Sequence, residues 1–114
     1  MAYTTTVKLT GDTKTYQLSA GVKKYTLMDL GFTKGKSGAF AYERALDPTS
    51  PYNAAFKFKM AVNADLTGFK MATVTGNGMQ RVDIFKNDAH LDAVEQLNYI
   101  LKDMLDRDVI VAVD

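Results

Sequence analysis

The longest unbroken helical period in the chain covers residues 87–107, NDAHLDAVEQLNYILKDMLDR. At about 100° per residue, Leu91, Val94, Leu97, Leu101, Met104 and Leu105 gather on one face, with Asp92, Glu95, Tyr99, Lys102, Asp103 and Asp106 opposite. Asn87 or Asp88 stands where an N-cap belongs, early acids face the positive end of the helix dipole, and Asp103 and Arg107 have the spacing of a surface ion pair.

Elsewhere the period is two. Residues 4–9 and 13–18 alternate about the turn residues Gly11 and Asp12, which predicts a hairpin with Val7, Leu9, Tyr16 and Leu18 inward. Residues 19–24 read as a loop. Thr26 is placed to cap a short turn over 27–30, closed by Gly31 in the left-handed conformation. After a Gly- and Lys-rich loop over 32–38, residues 39–46 put Phe40, Tyr42, Arg44 and Leu46 on one side of a strand, the arginine marking an end near solvent. Both prolines fall in 47–53, DPTSPYN, a loop because proline lacks the backbone donor and restricts its predecessor. Three strands follow: 55–62, with Phe56, Phe58, Met60 and Val62 opposite Lys57 and Lys59; 69–75; and 79–85 beyond the Gly76-Asn77-Gly78 turn. The apolar run 109–113 follows the helix directly and reads as a strand buried on both faces. About seven strands and one long helix make an α+β class, with the helix packed on sheet.

Composition narrows this picture little. A chain of 114 residues with 46% hydrophobic and 24% charged residues is a single domain, residues 1–114, able to bury its own core. The N-terminus has no secretory pattern and no apolar run approaches the roughly 20 residues that span a bilayer, so a cytoplasmic protein without membrane contact is expected. Net charge is +1, yet residues 1–60 hold nine Lys/Arg against four Asp/Glu and the remainder five against nine. Spare sheet edges leave room for a homodimer.

The candidate chemistry is thin. With no cysteine and one histidine, thiolate and zinc sites are excluded as expectations, and no cofactor or metal is expected. His90 projects toward the apolar side of its helix with no carboxylate on its face to orient it, which favours packing over proton transfer. The GKS triplet within residues 31–38 sits one residue short of P-loop spacing and precedes a strand. The helix carboxylates are solvent-facing and poorly suited to acid–base work. Ser19, Ser37 and Ser50 lack a nucleophile elbow. Lys57, Lys59 and Lys70 share a wet sheet face, but Phe56 and Phe58 point to the other side, so the stacking that RNA-binding sheets use is missing and nucleic acid is disfavoured. The best ligand-binding set is Tyr42, Arg44, Tyr52, Asn53 and Lys57, polar and aromatic groups around the proline loop.

The runs KYTLMDLGF, GAFAYERALD, TSPYNAAFKFKM and LTGFKMA, with the helix, resemble a small family of lactic acid bacteria classed as a domain of unknown function, some members carrying a cysteine-desulfurase label. The resemblance implies two antiparallel sheets against one helix, a remote likeness to S-adenosylmethionine decarboxylases, and a connection with amino-acid metabolism. A desulfurase needs a cysteine, and a pyruvoyl decarboxylase a Glu-Ser junction. Glu43 precedes Arg44 and Glu95 precedes Gln96, so neither activity transfers. The expected function is a non-enzymatic accessory protein that binds a small metabolite or a partner enzyme in amino-acid or sulfur metabolism. The alternatives are an enzyme using His90 or a weak nucleic-acid-binding sheet.

Overall fold

The computed structural model describes residues 3–9, 14–46, 56–76, 80–85 and 91–113. The proline loop, the Asn77-Gly78 turn, His90 and the first residues expected of the long helix lie outside them. In chain order the elements are β1 (Thr6–Val7), β2 (Tyr16–Leu18), α1 (Lys24–Leu30), β3 (Thr33–Lys34), β4 (Phe40–Ala45), β5 (Phe56–Val62), β6 (Phe69–Thr75), α2 (Leu91–Asp106) and β7 (Ile110–Ala112). They form two antiparallel sheets, ordered β1-β2-β7 and β3-β4-β5-β6. Thr4 joins the two, exchanging backbone hydrogen bonds with Phe69 at 3.0 and 2.8 Å. No helix among the described residues is long and apolar enough to cross a membrane.

One core unites the inner faces of both sheets with α2, which contributes Ala93, Leu97, Ile100, Leu101 and Met104. The buried face is rotated by about 60° from the one the leucines alone suggest. Leu91 (63% exposed) and Leu105 (37%) leave the core, while Ala93 and Ile100 enter it.

Both helices stop by the same device. After α1, Gly31 (φ 108°) takes the left-handed conformation, its N–H donating to Met28 O and that of Phe32 to Leu27 O. After α2, Asp108 (φ 61°) does the same, with Asp108 N–H to Leu105 O and Val109 N–H to Met104 O. In each case the flanking apolar pair, Leu27 with Phe32 and Met104 with Val109, is buried, as this Schellman closure favours. A left-handed aspartate costs about 1 kcal/mol relative to glycine. It is retained by a side-chain bond, since the buried Ser19 hydroxyl donates to Asp108 Oδ1 at 2.7 Å and accepts from Gly21 N–H. Asp108→Ala keeps the strain and orphans Ser19, whereas Asp108→Gly removes the strain. The alanine variant is expected to be less stable than the glycine variant by about 1 kcal/mol in urea unfolding, and the reverse order would refute this account.

Several expectations are corrected. Thr26 does not cap α1: the helix begins at Lys24 with Lys23 as N-cap and no side-chain cap, because Lys23 O already accepts from Thr26 N–H. Within residues 32–38, expected as loop throughout, Thr33–Lys34 form β3, while the GKS stretch is the expected turn, in which Gly35 N–H donates to Ala39 O and Gly38 (φ 89°) reverses the chain. Residues 80–85 meet β6 in a single bridge, Arg81 opposite Val74, closed by Thr75 N–H to Gln80 O and Val82 N–H to Thr73 O, and do not continue as a strand, since the Asp83 carboxylate turns back to accept from Phe85 N–H. β7 is not buried on both faces: Ile110 is fully buried, but Val111 and Val113 are 38% and 46% exposed, because the β1-β2-β7 sheet has core on one side only. Arg107 pairs with Asp29 of α1 at 3.6 Å and not with Asp103.

Candidate functional site

Strand register decides which side chains share a face. Across β4, β5 and β6 the partners run Ala41–Ala61–Lys70, then Glu43–Lys59–Ala72, then Ala45–Lys57–Val74. Side chains alternate along each strand, so these three rows look away from the core, while Phe40, Tyr42, Phe58, Met60, Val62, Phe69 and Met71 look into it. The β5–β6 register is held by its loop. Asn63 Oδ1 accepts from Thr67 N–H and Gly68 N–H, Asn63 Nδ2 donates to Thr67 Oγ1, and Leu66 takes a left-handed φ of 58°.

The centre of the outer face is therefore Ala41, Ala61 and Ala72, three methyl groups on adjacent strands. Larger neighbours rise around them, and the result is a depression of about 590 Å³ bordered by Thr33, Glu43, Lys59, Lys70, Val74 and Arg81. That volume is in the range of small-molecule sites. Its edge is cationic. Lys57 and Lys59 both reach Glu43, at 3.2 Å to Oε1 and 3.5 Å to Oε2. Lys70 lies 4.8 Å from the Tyr3 ring centroid, and among the described residues Arg81 makes no ion pair. Arg81 arrives opposite Val74, so Lys59, Lys70 and Arg81 surround Ala72 from three directions. Burial opposes ionisation of Glu43, but the hydrogen bonds and charges of Lys57 and Lys59 outweigh it and hold the carboxyl below its ordinary range.

The sequence-derived set is divided by this geometry. Tyr42 and Arg44 lie on the core side of β4. Tyr42 is buried between Phe32 and Phe58, with ring centroids 5.0 and 6.2 Å away, and its hydroxyl accepts from the Arg44 guanidinium at 3.4 Å. That hydrogen bond, with the charge of Asp103 on α2 beyond it, raises the Arg44 pKa. Lys57 is on the opposite face with Glu43. Tyr52, Asn53 and His90 lie outside the described residues. Glu43, Arg81 and the alanines were not singled out from the sequence; an outward alanine in each of three strands was the available signal, and it has meaning only once the strands are in register. Among the described residues no three His, Asp or Glu side chains gather as a metal site.

The family model described as "DUF1831: Putative amino acid metabolism" matches residues 1–111. The chain belongs to this family. A crystal structure of a DUF1831 family protein from Lactobacillus plantarum is similar to it at 74% sequence identity and TM-score 0.93, covering 99% of this chain and 99% of that one. A search of curated proteins gives no match. The outer basin of this DUF1831 protein is thus carried by a fold that a solved family member shares along its length.

Proposed function

We propose that this DUF1831 protein is a non-enzymatic accessory protein of amino-acid metabolism that holds a small anionic metabolite in the basin on the outer face of the β3-β4-β5-β6 sheet. The observation that carries this reading is the floor of Ala41, Ala61 and Ala72 set among Lys59, Lys70 and Arg81. A large side chain at any of the three would fill the space, and the surrounding charges favour an anion. What the basin offers is ion pairing. A general base works best with a pKa near the working pH, and Glu43 is displaced in the opposite direction. The alanine floor also offers no ring for a nucleobase to stack on.

Calorimetric titration with a panel of carboxylates, phosphates and amino acids tests the reading. Lys70→Ala and Arg81→Ala are each expected to weaken binding about tenfold, the worth of one charged contact in a half-buried site. The second reading keeps the ligand at Arg44, on the side of β4 away from Lys57, with Tyr52 and Asn53 of the proline loop as further candidates. It is favoured by the exposed Arg44 guanidinium, which Tyr42 holds in place. Loss of binding in Arg44→Ala, with Lys70→Ala and Arg81→Ala unaffected, would select it and rule out the basin.

A further inference from the structure

Resting on the basin reading, we infer that the ligand is a zwitterion of the α-amino acid class, its carboxylate over Ala72 among Lys59, Lys70 and Arg81 and its ammonium on Glu43. The argument begins with Lys59. It stands between Glu43 and Ala72 in a single cross-strand row, and its ammonium is bound to Glu43 Oε2 at 3.5 Å. To hold an anion over Ala72 as well, its ammonium must be shared between that anion and Glu43, which weakens the pair. A ligand carrying only a negative charge imposes this sharing. A ligand that also brings an ammonium replaces Lys59 on Oε2 and frees Lys59 for the carboxylate, so every charge remains paired. Lys57 keeps Oε1, and it is the shorter and more buried of the two pairs, 3.2 Å at 28% side-chain exposure against 43% for Lys59.

The dimensions agree. Glu43 and Ala72 are two strand spacings apart, about 10 Å at the backbone, and Glu43 leans toward the intervening strand to meet its lysines. One hydrogen bond to Glu43 plus the ammonium-to-carboxylate span of an α-amino acid comes to about 6 Å, and the leaning Glu43 side chain covers the rest. The ligand side chain then lies over Ala41 and Ala61, the row next to Lys70, where methyl groups favour an aliphatic group.

The test is a methyl NMR titration of alanine-labelled protein with three ligands of matched shape: leucine, isocaproate, which lacks the ammonium, and isoamylamine, which lacks the carboxylate. Shifts at Ala41, Ala61 and Ala72 are expected with leucine at concentrations at least tenfold below those needed for isocaproate, and Glu43→Gln is expected to bring leucine down to the isocaproate level. The unchanged methyl spectrum of that surface variant reports its folding. Equal binding of leucine and isocaproate, or a preference that survives Glu43→Gln, overturns the zwitterion while leaving the basin as an anion site. No shift at the three alanines with any of the ligands at tens of millimolar overturns the basin reading as well.

Discussion

Ala72→Glu is expected to lower ligand affinity by about a hundredfold while leaving the protein as stable as before. The substituted side chain rises from the floor of the basin and places its own carboxylate between Lys59, Lys70 and Arg81, where the ligand carboxylate is proposed to lie. Three contacts worth about 1 kcal/mol each are thereby withdrawn from the ligand, or roughly two orders of magnitude in Kd. Cross-strand pairs of opposite charge contribute about 0.2–1 kcal/mol, so the melting temperature should hold or rise slightly. Calorimetry and thermal denaturation together check the prediction. A variant that binds within about threefold of the parent would show that the anion is held elsewhere; one that loses binding because it unfolds is recognised by its melting curve.

The largest effect on stability is expected at Leu97. It is fully buried at the centre of the inward face of α2, and Leu97→Ala should cost about 3 kcal/mol, a fall in Tm of about 12 °C or more for a domain of this size. Leu91→Ala, on the same helix and part of the same leucine pattern, should cost under about 0.5 kcal/mol because its side chain is 63% exposed. Urea unfolding of the two variants measures the rotation of the buried face directly. Similar losses at both positions would mean that the helix sits as the leucine period alone suggests.

Glu43 connects the basin to pH. Its pKa is lowered by Lys57 and Lys59, so the pairs contribute stability above the ordinary carboxyl range and lose it as pH falls through the lowered value. With nearly half of the side chain exposed, water and salt screen this contribution. Its consequence is chiefly for the ligand: the carboxylate that would hold an ammonium stays ionised throughout the neutral range.

Where a side chain acts through its own neighbours in the chain, the sequence was a good guide. Alternation at Phe56, Phe58, Met60 and Val62 located β5, and the start and end of β6 agree with the reading. Gly31 marked the end of α1 because a left-handed residue after a helix favours glycine. Asp108 performs the same task without glycine's signature, since its strain is offset by Ser19, 89 residues away in the chain. The exposure of β7 was equally hidden. A run of β-branched residues states that a strand is apolar, but whether both faces are covered depends on which layers flank its sheet.

The sequence by itself therefore determined the α+β class, β2, β4, β5 and β6 with their inward residues, the long amphipathic helix and the family resemblance, because these follow from local periodicity and turn chemistry. Tertiary structure alone decided that Ala41 lies opposite Ala61 with Ala72 diagonal to it, and that Lys59, Lys70 and Arg81 flank Ala72. The physical reason is register: in a sheet, neighbours are set by pairing between strands, and a shift of one residue would carry every basic side chain of the basin to the other face.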